Sequence, residues 1–194
     1  MLHLTLALTL SAAGASPDTS SLFPELQAFA EARVAERDGI AGDRKRALTK
    51  LALWIRTQLD SNETPRIIFI CTHNSRRSHI SELWARAAAA VYGIRGVETF
   101  SGGTEATAFN PRAVAAMARA GFRISKTSEG ENPRYLARFG PKAPPATAFS
   151  KTYSADPNPE AGFAAVMTCS QADKSCPTVE GAAFRVAVPY EDPK

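Results

Sequence analysis

Hydrophobic residues follow two different periodicities along this chain, and the two alternate from about residue 65 onward. Short apolar runs of the kind that form buried strands are separated by segments in which apolar residues recur every three or four positions, as on a helix face. The runs predict strands at 67–70, 97–100, 122–124, 163–168 and 184–188, with strand pieces at 135–139 and 147–149, and the helical spacing predicts helices at 78–92 and 111–120. Such alternation is typical of an α/β fold, here a three-layer sandwich with a central parallel sheet covered by helices on both faces.

Two amphipathic helices are predicted ahead of this alternation. The first runs from Pro24 to about Arg37, and the second from 43 to 59 with Asp43 as its N-cap. This N-terminal helical pair is either an accessory unit packed on the domain or a surface for dimerisation or for a partner protein.

The first residues of the chain resemble a secretory signal only in part. An apolar run, Leu4 to Leu10, precedes small residues at 11–15, but the run lacks a positively charged start and is too short to span a bilayer. A cytoplasmic location is favoured; the protein is periplasmic or secreted if this segment is a signal peptide. We divide the chain into a signal or flexible segment (1–20), a helical extension (21–62) and an α/β domain (63–194).

Charge and cysteine content narrow the function. The formal net charge is +4, and the densest basic cluster, Arg44-Lys45-Arg46, is short and lies on a predicted helix, so no nucleic-acid partner is predicted. Three cysteines are an odd number, which argues against a structural disulfide framework. Cys169 and Cys176 are seven positions apart with no histidine nearby, so they favour redox chemistry over zinc binding. We predict no metal site, no tightly bound cofactor and no membrane span.

One loop carries the chemistry that the pattern indicates. It joins the strand at 67–70 to the helix at 78–92 and reads Cys71-Thr72-His73-Asn74-Ser75-Arg76-Arg77-Ser78. The N–H groups of such a loop and of the helix N-terminus converge with partial positive charge, so they can hold a tetrahedral oxyanion. Arg77 can add a bidentate contact to two of the oxygens. The same field favours Cys71 as a thiolate nucleophile, and Ser78 is placed to hydrogen-bond the sulfur or the leaving group.

Further motifs extend the pattern beyond the loop. They are Phe100-Ser101-Gly102-Gly103-Thr104 with Asn110-Pro111, the pair Cys169 and Cys176 with Pro177 after it, and Asp192-Pro193. Over roughly residues 66–194 the sequence resembles the low-molecular-weight protein tyrosine phosphatase fold family, and within it the thioredoxin-coupled arsenate reductases of arsenic resistance.

The resemblance implies a three-cysteine reaction. Cys71 would attack arsenate, Asp192 would protonate the leaving oxygen, and Cys169 would attack the Cys71 adduct and release arsenite. Cys176 would then attack Cys169 and present a disulfide to thioredoxin, the reductant and partner. The polar, unpatterned stretch 170–175 suits the movement that these exchanges need.

The resemblance also implies supporting roles. Asn74 and Ser101 would brace the loop, and with Glu82 they match positions that hold a potassium ion in some reductases. The chain departs from the reductases at His73 and Arg76, which are often Gly and Cys there, and in the segment 129–158, which looks like an insertion. Because a helix usually follows Asp-Pro in this fold, we expect a domain truncated at its C-terminus, with apolar surface exposed on the last two strands.

Two other functions remain open at this stage. A tyrosine phosphatase would need only Cys71, Arg77 and Asp192, and would leave Cys169 and Cys176 as redox protection or packing. A non-catalytic module that binds oxyanions or a partner would keep Arg77 but would not need Cys71 and Asp192 together.

Overall fold

The computed structural model describes residues 18–193. The helices are α1 Pro24–Ala35, α2 Gly42–Asp60, α3 Arg77–Val91, α4 Pro111–Arg119 and α5 Ser170–Ser175, with 3-10 turns at Thr19–Ser21 and Arg37–Gly39. The strands are β1 Arg66–Cys71, β2 Glu98–Gly103, β3 Arg123–Lys126, β4 Tyr135–Arg138, β5 Ala146–Ala148, β6 Phe163–Met167 and β7 Ala182–Ala187. Within this range no helix combines the length and the apolar character needed to cross a membrane. The signal-like run at 4–15 lies outside the described residues.

Four parallel strands form the central sheet, in the order β2-β1-β6-β7. The inner strand β1 is buried on both faces, since all of its residues except Arg66 are buried. Its Ile68 lies opposite Phe100 of β2 and Ala165 of β6. A continuous apolar run predicts a strand of this kind, inside a sheet with two covered faces. The predicted α/β class with a central parallel sheet is confirmed.

Helices pack on both faces of the sheet. Ile67 and Phe69 point to one face, where they pack with residues of α2 and α3. Ile68 and Ile70 point to the opposite face and pack with residues of α5. Because β1 and β6 are parallel neighbours, they end at the same edge of the sheet, and the residues that follow them lie side by side.

Helix α2 packs over β6 and β7, the last two strands, for which the sequence pattern predicted exposed apolar surface. Leu51 of α2 is buried in one cluster with Val186 and Val188, next to β6 residues. The expectation that the last two strands expose apolar surface is therefore wrong. The cover is supplied from a distant part of the sequence, so strand patterns alone could not reveal it.

A second, antiparallel sheet has the order β3-β4-β5. The sequence pattern placed a strand near residues 122–124 in the parallel alternation, but β3 pairs with β4 instead, with Ile124 opposite Ala137. Three of the four β3 residues are exposed, so this strand lacks the two-sided burial that a parallel sheet requires. The chain after β5 leads back to the central sheet and brings Ser150 and Lys151 to the loop that follows β1.

Candidate active site

The loop after β1 keeps its backbone N–H groups free for a ligand. Among the described backbone–backbone hydrogen bonds outside helices and strands, none is donated by residues 72–76. The first hydrogen bond into α3 runs from the Ile80 N–H to the Arg76 carbonyl at 3.0 Å, and no side chain caps this helix. Unpaired N–H groups at an uncapped helix N-terminus carry partial positive charge and attract an anion.

The loop carbonyl groups point away from this site because other segments hold them. The Thr72 carbonyl accepts from the Glu105 N–H at 2.8 Å. The His73 carbonyl accepts from the hydroxyl groups of Thr107 at 3.1 Å and Ser150 at 3.0 Å. With their oxygens tied to surrounding protein, these peptide units are oriented for anion binding.

A chain of hydrogen bonds ends at the Cys71 sulfur. The Lys151 N–H donates to Asn74 Oδ1 at 2.9 Å, which fixes the amide so that its Nδ2 donates to Ser78 Oγ at 2.8 Å. Ser78 Oγ lies 3.1 Å from Cys71 Sγ. Since Ser78 already accepts from Asn74, its own hydrogen is free to point at the sulfur, where it would stabilise a thiolate. Asn74 is fully buried and has a φ of 43°, a left-handed conformation that asparagine tolerates.

Two arginines and an aspartate stand at the rim of the loop. Arg76 Nη1 donates to Asp192 Oδ2 at 2.6 Å, and Arg77 Nε lies 3.8 Å from Asp192 Oδ1. Arg77 Nη1 also donates to the Tyr190 carbonyl at 3.3 Å, and the Arg44 side chain of α2 donates to the Pro189 carbonyl at 2.6 Å. The structure therefore brings Arg77 and Asp192 together and adds Arg76 as the direct partner of the aspartate.

Cys169 lies beside the loop because β6 ends next to β1. The Thr168 N–H donates to the Ile70 carbonyl at 2.7 Å, and Cys169 Sγ lies 3.5 Å from Thr72 Oγ1. Cys71 and Cys169 are both buried free thiols, and they share one apolar cluster. Cys176 is partly exposed at the far end of α5.

The segment between Cys169 and Cys176 is a helix, whereas the sequence pattern indicated an irregular stretch at 170–175. Cys169 is the N-cap of α5, and its Sγ accepts from the Ala172 N–H at 3.3 Å. A helix of six residues is too short to show an apolar periodicity, so its polar sequence gave no helical signal.

The remaining predicted loop residues occupy different environments. Thr72 is buried and Ser75 is half-buried, and the Ser75 carbonyl accepts from the Asn110 N–H at 2.9 Å. His73 is exposed, with Nε2 at 3.5 Å from the Glu105 carboxylate. Of these side chains, His73 therefore points to the Glu105 carboxylate beside the loop rather than to the buried sulfur.

A buried polar cluster around His79 and Ser101 lies next to the loop. His79 Nδ1 lies 3.1 Å from Ser101 Oγ, and the Ser101 carbonyl accepts from Asn158 Nδ2 at 3.0 Å. Burial lowers the pKa of His79 to about 3, and the positive charge of Lys151 adds to this effect. Burial raises the pKa of Glu82, against the opposing charge of Lys151, and burial lowers the pKa of Lys151 itself.

The residues around Glu82 do not suit the potassium ion that the resemblance implies. The Asn74 side-chain oxygen accepts from the Lys151 N–H, and its amide nitrogen donates to Ser78 Oγ. Ser101 Oγ is paired with His79, and the buried Lys151 already supplies a positive charge that acts on Glu82. A second cation would be repelled by this ammonium group, so we derive no step from a metal ion here.

The buried His79 leads to the first prediction, which concerns stability. Between about pH 6.5 and about 3 the unfolded chain protonates this histidine and the folded chain does not, so stability falls as the pH is lowered through this window. The free energy of unfolding should decrease by on the order of a few kcal/mol across this window. Replacement of His79 by asparagine should flatten the fall, measured by urea unfolding at pH 7 and pH 5. The exposed His73→Asn variant is the control, and an unchanged pH dependence in His79→Asn would contradict the prediction.

Several site residues escaped the sequence analysis. Lys151 and Ser150 lie in the segment that looked like an insertion, and Glu105 follows β2 without a recognisable motif. Each makes its contact with the loop over a long sequence separation, as the Lys151 N–H does with Asn74. The polar character of the segment after 149 gave no sign of this role, because polar residues are usually exposed.

Comparison with known proteins places this geometry in a family. Residues 66–139 match the family described as low molecular weight phosphotyrosine protein phosphatase. An arsenate reductase of Brevibacillus brevis is 32% identical over 127 residues, which are 66% of this chain and 75% of that protein. Among solved structures, a thioredoxin-dependent arsenate reductase of Corynebacterium glutamicum superposes with a TM-score of 0.42 and 19% identity, over 89% of this chain and 67% of the other. A superposition this loose supports no argument.

The family match begins at β1 and includes the whole loop from Cys71 to Ser78. The Brevibacillus relative is similar over most of its own length. This chain belongs to the low-molecular-weight phosphotyrosine protein phosphatase family and lies close to the arsenate reductases within it.

Proposed function

We propose that this protein is an arsenate reductase that works through a relay of Cys71, Cys169 and Cys176. Its family membership makes it an enzyme of the arsenate reductase or phosphatase kind. One observation carries the choice between the two: Cys169, which phosphatase chemistry does not require, lies buried against the loop, with its Sγ 3.5 Å from Thr72 Oγ1.

In the first step the Cys71 thiolate attacks arsenate that is held by the loop N–H groups and Arg77. A sulfur–arsenic bond forms and an arsenic–oxygen bond breaks. Asp192 gives a proton to the departing oxygen, which leaves as water. The 2.6 Å contact with Arg76 holds the Asp192 side chain at the rim of the loop, and the Ser78 hydroxyl stabilises the thiolate before the attack.

In the second step the Cys169 thiolate attacks the Cys71 sulfur. A sulfur–sulfur bond forms, and the electron pair of the sulfur–arsenic bond passes to arsenic, which is reduced from As(V) to As(III) and leaves as arsenite. Cys176 then attacks Cys169, which frees Cys71 as a thiolate and leaves a Cys169–Cys176 disulfide. Thioredoxin, a dithiol reductant, reduces this disulfide and completes the cycle.

A phosphatase is the second candidate, and a groove beside the loop favours it. The groove has a volume of about 340 Å³ and lies next to Arg77, with Ile80, Trp84 and Tyr190 in its lining. An apolar, partly aromatic lining of this kind suits an aryl group attached to a bound phosphate. A phosphatase would stop after Cys71 and use water in place of Cys169.

The two candidates predict different products, which a paired assay distinguishes. With thioredoxin, thioredoxin reductase and NADPH, we expect arsenite release over many turnovers, because only the complete relay regenerates Cys71. Without thioredoxin, release should stop after about one equivalent. The measurements are arsenite by mass spectrometry and NADPH oxidation, beside hydrolysis of p-nitrophenyl phosphate.

The outcomes separate the functions. Hydrolysis of the aryl phosphate with no arsenite release would replace the reductase by the phosphatase. Binding of arsenate or phosphate without either reaction would leave a non-catalytic oxyanion-binding protein.

A further inference from the structure

Arg185 of β7 ties together the segment that carries two of the three cysteines. Its Nη2 donates to Asp173 Oδ1 at 2.6 Å, to the Asp173 carbonyl at 2.9 Å and to the Cys176 carbonyl at 2.9 Å. Its Nε donates to the same Cys176 carbonyl at 3.2 Å. The two charged side chains are largely buried, with 25% and 32% of their surface exposed. We call this set of contacts the Arg185 clamp.

The clamp holds the end of α5 in its helical form. Cys169 begins the helix, and Cys176 ends it with an N–H that donates to the Ala172 carbonyl at 3.0 Å. Residues seven positions apart in a helix are separated by about 10 Å along its axis. A disulfide needs its two Cα atoms within about 7 Å. A Cys169–Cys176 bond therefore requires α5 to unwind, and the contacts of Arg185 with the carbonyl groups of Asp173 and Cys176 oppose this unwinding.

We propose that the Arg185 clamp controls the unwinding of α5 and thereby the transfer of the disulfide from Cys71 to Cys176. This proposal rests on the proposed relay. Arg185 contacts no sulfur atom among its described hydrogen bonds, so it acts as a positioning residue. The step needs no external oxidant: the Cys176 thiolate attacks Cys169, the Cys71–Cys169 bond breaks, and Cys71 leaves as a thiolate.

Arginine is suited to this role by its shape. Its planar fork presents several donors in fixed directions, so one side chain can hold two carbonyl groups and a carboxylate together. Lysine keeps the charge, but its side chain is one bond shorter and has no donor equivalent to Nε, so it cannot reproduce the full set of contacts with Asp173 and the Cys176 carbonyl. Arg185→Lys therefore loosens the end of α5 without removing the positive charge that faces Asp173.

The test measures disulfide formation without arsenate. In a Cys71→Ser background only Cys169 and Cys176 remain, and oxidised glutathione converts the two thiols into a disulfide with release of two reduced glutathione molecules. Acid quenching, alkylation and mass spectrometry give the rate. We expect the Arg185→Lys variant to form the disulfide about tenfold faster, which corresponds to the loss of one or two hydrogen bonds to charged groups. Asp173→Asn should give a smaller increase, since an acceptor oxygen remains.

Three measurements distinguish the clamp from general destabilisation. Arg138→Lys changes an exposed strand arginine of β4 and should leave the rate unchanged. With Cys71 intact, Arg185→Lys should hydrolyse p-nitrophenyl phosphate at the rate of the unmodified protein, because the loop after β1 is untouched. Hydrogen exchange of residues 170–176 should rise in Arg185→Lys while exchange of β1 stays the same.

The results separate the clamp from the relay. Equal rates of disulfide formation with and without the substitution, or an equal increase in Arg138→Lys, would overturn the clamp and leave the relay standing. Absence of a Cys169–Cys176 disulfide from every protein, including the one with an intact Arg185, would overturn both.

Discussion

Replacement of Cys71 by serine is expected to abolish arsenate reduction and aryl phosphate hydrolysis together, with a loss of at least about a thousandfold in turnover. Both reactions begin with an attack by this sulfur, and a serine hydroxyl needs a base to become a nucleophile. The described partner of the sulfur is Ser78, which cannot act as a base near neutral pH. The nearby His79 is buried and directed at Ser101, so it cannot take over that role.

Two measurements check this expectation. Turnover of p-nitrophenyl phosphate and of arsenate should fall to background in Cys71→Ser, while Cys176→Ser should keep the aryl phosphatase rate. Alkylation of the unmodified protein by iodoacetamide should modify Cys71, and phosphate or arsenate should protect it by occupying the loop. Aryl phosphate hydrolysis by Cys71→Ser within tenfold of the unmodified rate would assign the nucleophile to another residue.

The centre of the site could be predicted because its signals are local. The strand, the loop and the helix from residue 66 to 91 follow one another directly, and each has its own periodicity or turn residues. The glycine that ends β2 also has a physical reason. A side chain on Gly103 would come within 2.2 Å of the Glu105 carbonyl and 2.7 Å of the Asn74 nitrogen, so only glycine fits against the loop.

The support of the site could not be predicted because it depends on contacts between distant segments. Lys151 reaches Asn74 across 77 positions, and Arg44 of α2 reaches Pro189 across 145. Neither segment carries a repeating pattern that indicates its partner. Arg185 appeared only as one polar position in an apolar strand, and its contacts with α5 depend on a helix that the sequence did not reveal.

The pairing of Arg76 with Asp192 was missed for a related reason. The sequence places Arg76 in the predicted oxyanion-binding loop, next to Arg77, and indicates no other partner for its side chain. In the structure the Arg76 guanidinium donates to the carboxylate of Asp192, which lies 116 positions further along the chain. A sequence motif shows where a charged residue lies on its own element. Whether its side chain binds a ligand or pairs with another side chain depends on the elements that pack nearby.

Replacement of Cys169 by serine is expected to separate the two activities completely. Arsenate reduction over many turnovers should fall to background, because the remaining thiol, Cys176, lies at the far end of α5 and cannot displace arsenite from the Cys71 adduct. Aryl phosphate hydrolysis should stay within about threefold of the unmodified protein, since water can resolve a phosphocysteine. The substitution is also mild for the fold, because a serine hydroxyl can accept from the Ala172 N–H that the sulfur now caps.

Cys176→Ser is the matched comparison, and it differs from Cys169→Ser in one respect. With arsenate in excess, Cys176→Ser should release about one equivalent of arsenite and then stop as a Cys71–Cys169 disulfide, which intact-mass and peptide mapping identify. Cys169→Ser should release none. The physical reason for this order is the position of the two thiols. Cys169 is buried beside Thr72, where the first exchange occurs at the loop. Cys176 is partly exposed, and the disulfide that it forms must reach a reductant at the surface. Sustained arsenate turnover by Cys169→Ser would contradict the relay, and the buried thiol at the end of β6 would then belong to the apolar core alone.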